Sequence, residues 1–138
     1  MDWEDLAALI RPAGLAHVAT ASADGQPHAS KVAVVVDGEA LVFFTMRSSG
    51  KARNLAENPR IALMWDPMAE IYLRGDVELV ADVAEKTRLW GSGLFPYDPS
   101  GFFGSPDNED LVLVRIHPTR ASVATADANG PRRDTWRR

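Results

Sequence analysis

The side chains best suited to bind an anion lie at residues 46–51, which read Met-Arg-Ser-Ser-Gly-Lys. They follow an apolar run and precede a stretch of helical composition, so they predict a turn that leads from a strand into a helix N-terminus. Unpaired N–H groups and the positive end of the helix dipole converge at such a point and bind anions. Ser48 or Ser49 can cap the helix and also donate its hydroxyl. Lys51 opposes the dipole in the first turn, and an anionic ligand would remove that conflict.

Other chemistries have little support in the sequence. An ordinary capped surface helix with incidental basic residues accounts for the same residue types about equally well. The glycine patterns of nucleotide loops and dinucleotide sites, and the G-x-S-x-G pattern of serine hydrolases, are absent from the sequence. The three histidines, His17, His28 and His117, are far apart and have no metal-ligand spacing. A cofactor that carries its own chemistry is therefore favoured over a protein nucleophile or a metal.

The elements that must position this turn are predicted to be mainly strands. The apolar patterns predict helices at residues 3–13, 51–58 and 83–92, and strands at residues 15–22, 27–36, 40–45, 61–66, 69–82 and 111–116, with 121–124 as a possible extension. Asp24-Gly25 and Asp37-Gly38 indicate hairpin turns, and Gly75 indicates a bulge. Short strands with such turns and few helices predict an all-β dominated domain, a six-stranded antiparallel barrel with peripheral helices.

Two segments fall outside this pattern. Residues 93–110 are rich in Gly, Pro, Asp and Ser but carry four aromatic residues, and a loop this long usually has a function or covers a neighbour. Residues 127–138 carry arginines around Trp136 and are expected to form a frayed basic terminus. The sequence thus predicts one domain at residues 1–126 and a basic C-terminal tail at residues 127–138.

Bulk composition limits the class of protein. The 138 residues are 46% hydrophobic and 25% charged, which is typical of one globular domain. There is no cysteine, which excludes disulfides and fits a reducing cytoplasm. The acidic first residues and short apolar runs predict neither a secretory signal nor a membrane span. A net charge of −4 gives no general attraction to nucleic acid or anionic membranes, so neither is an expected partner. The absence of cysteine favours a cytoplasmic protein.

Residues 44–65 resemble the flavin-phosphate segment of the pyridoxamine 5′-phosphate oxidase-like split-barrel superfamily. The resemblance rests on F-T-x-x-x-S-x-K, then N-L-x-x-N-P-R and an apolar strand, and weaker flanking matches extend it over most of residues 5–124. The matching residues are Phe44, Thr45, Ser49, Lys51, Asn54, Leu55, Asn58, Pro59 and Arg60. The resemblance implies a split barrel, a bound flavin and a two-fold homodimer with the cofactor at the subunit interface.

The resemblance also implies where FMN would bind. Thr45, Ser49 and Lys51 would bind its phosphate, and an adjacent strand would reach the phosphate or the ring edge. The full implied set is Ser30, Lys31, Val32, Phe44, Thr45, Arg47, Ser49, Gly50 and Lys51. It includes no catalytic side chain and no metal ligand.

The sequence is compatible with more than one activity and flavin type. Genuine pyridoxamine-phosphate oxidases carry R-x-x-L-L-K before the phosphate segment and end on R-L-x-P, whereas this chain has Ser-Lys-Val-Ala-Val-Val from residue 30 and lacks that ending, so vitamin synthesis is not expected. Residues 89–114 resemble the general-stress-protein branch, in which FMN is usual, while residues 51–55 also resemble actinobacterial deazaflavin-dependent reductases. We expect an FMN-binding oxidoreductase that transfers hydride to or from a small planar substrate. A deazaflavin-dependent reductase and a non-catalytic flavin-binding stress protein are the alternatives.

Overall fold

The computed structural model of this protein describes residues 1–66 and 68–138. In chain order the elements are α1 (Trp3–Ile10), β1 (Ala16–Ala21), β2 (Pro27–Val32), β3 (Val35–Asp37), β4 (Ala40–Met46), α2 (Gly50–Glu57), β5 (Arg60–Trp65), β6 (Glu70–Val80), α3 (Val83–Trp90), α4 (Ser100–Phe103), β7 (Leu111–Asp127) and β8 (Gly130–Arg137). Within these residues the strands form one curled antiparallel sheet in the order β2-β1-β5-β6-β7-β4-β3, with β8 also paired to β7. The predicted β-dominated split barrel with peripheral helices is confirmed.

Both predicted hairpins are present. The Asp24-Gly25 turn joins β1 to β2, and Asp37-Gly38 joins β3 to β4. Gly25 adopts φ +92°, a conformation that side chains with a Cβ rarely adopt, which is why the turn falls at this dipeptide. Local turn chemistry therefore sets the register of both hairpins.

The sheet of the described residues contains eight strands, where the sequence predicted six. The predicted strand at residues 27–36 is divided into β2 and β3, which lie at opposite ends of the strand order. The short connection between them thus links the two ends of the curled sheet and buries Val34, which is 6% exposed. A continuous apolar run does not reveal such a bend, because every residue of the run is compatible with a buried strand.

The expectation of a frayed terminus was wrong, because β8 pairs with the second half of β7 from Arg120↔Arg137 to Asp127↔Gly130. Trp136 of β8 packs on Trp3 of α1, with ring centroids 5.3 Å apart. Strand β7 is also longer than predicted, at 17 residues. The predicted 111–116 and 121–124 segments form one strand, which pairs with β6 on one side and with β4 and then β8 on the other.

Two apolar clusters lie on opposite faces of β4. Phe43 and Leu41 point into the main core with α1, whereas Phe44 and Val42 point into a second cluster beside α3. Strand β4 is therefore buried on both faces, which explains its unbroken apolar sequence.

The predicted bulge at Gly75 is confirmed by a register shift between Arg74 and Gly75 in the β6–β7 ladder. A Cβ at this position would lie 2.7 Å from the backbone oxygen of His117, closer than such atoms can approach. Only glycine fits here without movement of β7.

The three longer helices, α1, α2 and α3, have eight residues each. Each begins at a capping side chain, which in α1 forms a reciprocal pair between Asp2 and Asp5. Across residues 1–66 and 68–138, every helix is too short or too polar to cross a membrane.

Candidate functional site

The turn between β4 and α2 brings together two of the predicted hydroxyl groups. Thr45 ends the buried part of β4 and is 5% exposed. Its Oγ1 lies 3.0 Å from the Oγ of Ser49. Ser49 is the N-cap of α2 and accepts a hydrogen bond from the N–H of Ala52 at 3.2 Å. The predicted strand-to-helix turn is therefore formed, with Ser49 rather than Ser48 as its cap.

The first turn of α2 has donors that are still available. Within the described chain, the main-chain N–H groups of Gly50 and Lys51 donate to no acceptor, since Ser49 satisfies only the next two N–H groups. Lys51 is half-buried, and this burial lowers the pKa of its ammonium group below the usual value. No charged neighbour contributes to that shift. The turn thus offers two free N–H groups and a cation without an anionic partner.

A network beyond the turn fixes its position. The N–H of Arg47 donates to the backbone oxygen of Asp110 at 2.6 Å, while the Arg47 side chain is exposed. Lys86, only 2% exposed, donates its Nζ to the backbone oxygens of Asn108 at 3.2 Å and Leu111 at 3.0 Å. The buried Lys86 therefore ties the start of β7 to α3, and the N–H of Arg47 ties the turn to the adjacent Asp110.

His28 lies at the same turn and was not among the predicted site residues. A Cβ on Gly50 would lie 3.2 Å from His28 Nε2, so the glycine allows the imidazole to approach the start of α2. His28 also borders a cavity of about 380 Å³ with Arg53 and Asn54. The two-residue period of β2 places His28 on the same face as Ser30, and this spacing could have identified it.

Strand β2 divides its three predicted site residues between two faces. Ser30 pairs with the buried Val18, and Lys31 pairs with His17 on the opposite face. Helix α2 lies on the face of Ser30 and Val32, where Asn54 Nδ2 donates to Thr20 Oγ1 of β1 at 3.1 Å. Ser30 Oγ is buried and has no hydrogen-bond partner in the described residues. The structure therefore places Ser30 and Val32, but not Lys31, on the α2 face.

Phe44 points away from the turn hydroxyls. Its ring packs against three aromatic residues at centroid distances of 5.6, 5.1 and 6.1 Å, namely Trp90, Phe95 and Phe103. Most of the predicted aromatic loop at residues 93–110 is therefore attached to β4 and α3, whereas Phe102 remains 72% exposed.

A larger groove of about 530 Å³ lies on the sheet face opposite α2. Its floor is apolar and includes Ala19, Ala29 and Ala62, and its far side carries polar and basic side chains from β6, β7 and β8. Lys31 reaches this face beside His17. Neither this groove nor any other part of residues 1–66 and 68–138 gathers three metal-ligating side chains.

Comparisons with known proteins match most of this chain to one family. A sequence model of the family described as pyridoxamine 5′-phosphate oxidase matches residues 3–124. The chain is similar to the pyridoxine/pyridoxamine 5′-phosphate oxidase of Xanthomonas axonopodis pv. citri (strain 306), with 30% identity over 132 residues. That alignment covers 86% of this chain, which spans only 64% of the length of the relative.

Two solved structures are similar over nearly their whole length. General Stress Protein 26 from Bacillus anthracis str. Sterne superposes with a TM-score of 0.75 at 17% identity, over 98% of this chain and 97% of that one. At this identity the likeness concerns the fold alone. A protein named F420 reductase superposes with a TM-score of 0.61 at 27% identity, over 83% of this chain and 93% of that one.

Proposed function

Because this chain belongs to the pyridoxamine 5′-phosphate oxidase family, we propose that it is a flavin-binding oxidoreductase whose cofactor phosphate binds at the turn between β4 and α2. The observation that carries the proposal is Lys51, a half-buried cation in the first turn of a helix with no anion beside it. Burial and the helix dipole both disfavour its charge. A bound phosphate would offset both effects.

The residues at the turn fit a phosphate group. The free N–H groups of Gly50 and Lys51, the hydroxyls of Thr45 and Ser49 and the ammonium of Lys51 can all donate to its oxygens. Ser30 Oγ is a buried donor that still needs an acceptor, which favours a polar ligand on this face of β2. FMN, when bound, supplies the redox chemistry, so the protein needs to bind and orient it rather than provide a nucleophile.

FMN is the flavin that we favour. It carries one phosphate on a short chain, which matches a compact site with one half-buried cation. A deazaflavin coenzyme is the second candidate, favoured by the similarity to the protein named F420 reductase. Its longer anionic tail would require more cations, and Lys31, Arg53 and Arg60 are exposed and could contact it.

We expect the protein purified from a host that makes both cofactors to release FMN, identified by its absorption spectrum and mass. Light scattering of the same preparation should give about twice the chain mass of 15.1 kDa, as the family homodimer implies. Added NADH or NADPH should reduce the bound cofactor, and a quinone should reoxidise it. Release of a deazaflavin would contradict the choice of FMN, and a cofactor that reacts with no donor or acceptor would favour a binding protein.

The variant Lys51→Ala tests the phosphate site directly. Loss of a charge-assisted contact to the phosphate should weaken FMN binding by about 1.5–3 kcal/mol. The matched control is Arg53→Ala, an exposed cation on the same helix that does not share a face with Lys51. FMN titration by fluorescence quenching measures both affinities, and equal affinities for wild type and Lys51→Ala would remove Lys51 from the site.

A further inference from the structure

A row of arginines on the groove face is not explained by the proposed phosphate site. Arg74 of β6 is the register partner of Arg120 of β7, and Arg120 is the register partner of Arg137 of β8. Side chains of register partners lie on the same face of an antiparallel sheet, about 5 Å apart at Cβ. Arginines of three adjacent strands therefore lie side by side on the face opposite α2.

These arginines have no carboxylate partner in the part of the chain that the structure describes. The contrast with other arginines is clear, since Arg88 lies 2.8 Å from Asp37 and Arg115 lies 2.8 Å from Glu78. Like charges directly opposite each other destabilise a sheet. A bound anion would relieve the repulsion within this row.

The apolar floor of the groove continues the same row of residues. Ala29, Ala19 and Ala62 are successive register partners across β2, β1 and β5, and Ala62 is the partner of Arg74. Their methyl groups leave a flat surface that ends at the Arg74 and Arg120 guanidinium groups. Both arginines and the three alanines line the cavity of about 530 Å³, a volume in the range of small-molecule sites.

Arg133, outside this row, also lines the far side of the groove. Arg133 Nη1 donates to Ser122 Oγ at 3.1 Å, and Arg133 lines the same cavity as Arg120. Arginine binds carboxylates through a planar fork of N–H donors, and its planar group also stacks on aromatic rings. A flat apolar floor that ends at such forks matches an aromatic ring with a carboxylate at its edge.

We infer that this groove binds a planar aromatic carboxylate, with its ring on the alanine floor and its carboxylate on Arg74 and Arg120. Binding does not depend on the flavin site. The further step, that such an acid is the substrate of the enzyme, rests on the proposed function.

The probe for the test is naphthalene-2-carboxylate, and naphthalene-2-carboxamide is its neutral control. Calorimetry at low ionic strength should detect binding of the acid to the protein. It should detect little or no binding of the amide. Arg74→Gln and Arg120→Gln should each lower the affinity for the acid about ten-fold or more. This is the effect expected for loss of a hydrogen bond between charged groups. Both variants should remain folded, because each substitution removes like-charge repulsion.

The neighbouring pair Arg133→Gln and Arg132→Gln gives a matched comparison, because Arg132 pairs with Thr125 on the opposite face of the sheet. Of these two variants, only Arg133→Gln should lower the affinity for the acid. Equal binding of acid and amide, or equal effects of these two variants, would overturn the inference. So would a change in the oligomeric mass of Arg74→Gln, since the row would then be a subunit contact. The variant Lys51→Ala should still bind the acid although its FMN binding is weakened. The hypothesis for the groove and the hypothesis for the phosphate site can therefore be contradicted separately.

Discussion

The variant Phe44→Ala is expected to lower the free energy of unfolding by about 3–5 kcal/mol, the cost of removing a buried aromatic side chain. Phe44 is 2% exposed and lies at the centre of the second apolar cluster. Its ring contacts Trp90 of α3 and Phe95 and Phe103 of the long loop. Its loss would leave a cavity that α3 and the loop can fill only by moving away from β4. Urea denaturation followed by circular dichroism measures the change.

The matched control for Phe44 is Phe102→Ala. Phe102 belongs to the same loop but is 72% exposed, so its removal should change the free energy of unfolding by no more than about 0.5 kcal/mol. Phe44→Leu separates packing from cofactor contact, since it retains an apolar side chain. If folded Phe44→Leu binds FMN as wild type does, the role of Phe44 is to pack the loop. Similar costs for Phe44→Ala and Phe102→Ala would contradict the importance of the second cluster.

The second large effect is expected for Gly75→Val, which should destabilise the protein by about 3 kcal/mol or more, the upper range for overpacking of a tight site. A Cβ at Gly75 would meet the backbone oxygen of His117 at 2.7 Å and Ile116 Cγ2 at 2.8 Å. The backbone of β7 would have to move, and β7 is paired on both sides at Ile116. Thermal unfolding and urea denaturation both report the loss.

Gly101→Ala is the control for Gly75→Val. An added Cβ there would have no heavy atom within 4 Å, and Gly101 does not have a positive φ. The substitution should leave stability unchanged or raise it by about 0.4–1 kcal/mol, because alanine restricts the unfolded chain. Equal stability of Gly75→Val and wild type would show that β7 can shift without cost at the bulge.

Local signals in the sequence account for most of the fold that could be predicted. The hairpins at Asp24-Gly25 and Asp37-Gly38 follow from the conformational freedom of their glycines, which have a positive φ. The bulge at Gly75 follows from the absence of a side chain where β7 approaches closely. Strand β8 had no such signal, because residues 130–137 lack alternating apolar positions. Its pairing depends on the free edge of β7, and its attachment to α1 depends on Trp136 and Trp3. Both contacts are distant in sequence, so local patterns cannot reveal them.

The same distinction applies to the candidate site. Thr45 and Ser49 lie four residues apart, so their motif predicted the turn that joins them. His28 approaches Gly50 only because β2 and α2 meet in the folded protein. The arginine row likewise arises from strand register, since Arg74 and Arg120 become neighbours only when β6 and β7 pair. Motifs predicted the contacts made within one segment, whereas register determined the contacts made between segments.

The length of β7 also affects the order in which the chain can fold. Leu41 of β4 pairs with Ile116, and Ile71 of β6 pairs with Val123, so both earlier strands receive a partner from the same later strand. During synthesis, β4 and β6 precede β7 and have no such partner until residues 111–127 leave the ribosome. Contacts between such distant segments form slowly because a long loop must close first. Until then, the unpaired edges of β4 and β6 can pair with other chains, so the nascent protein is most exposed to aggregation shortly before β7 emerges.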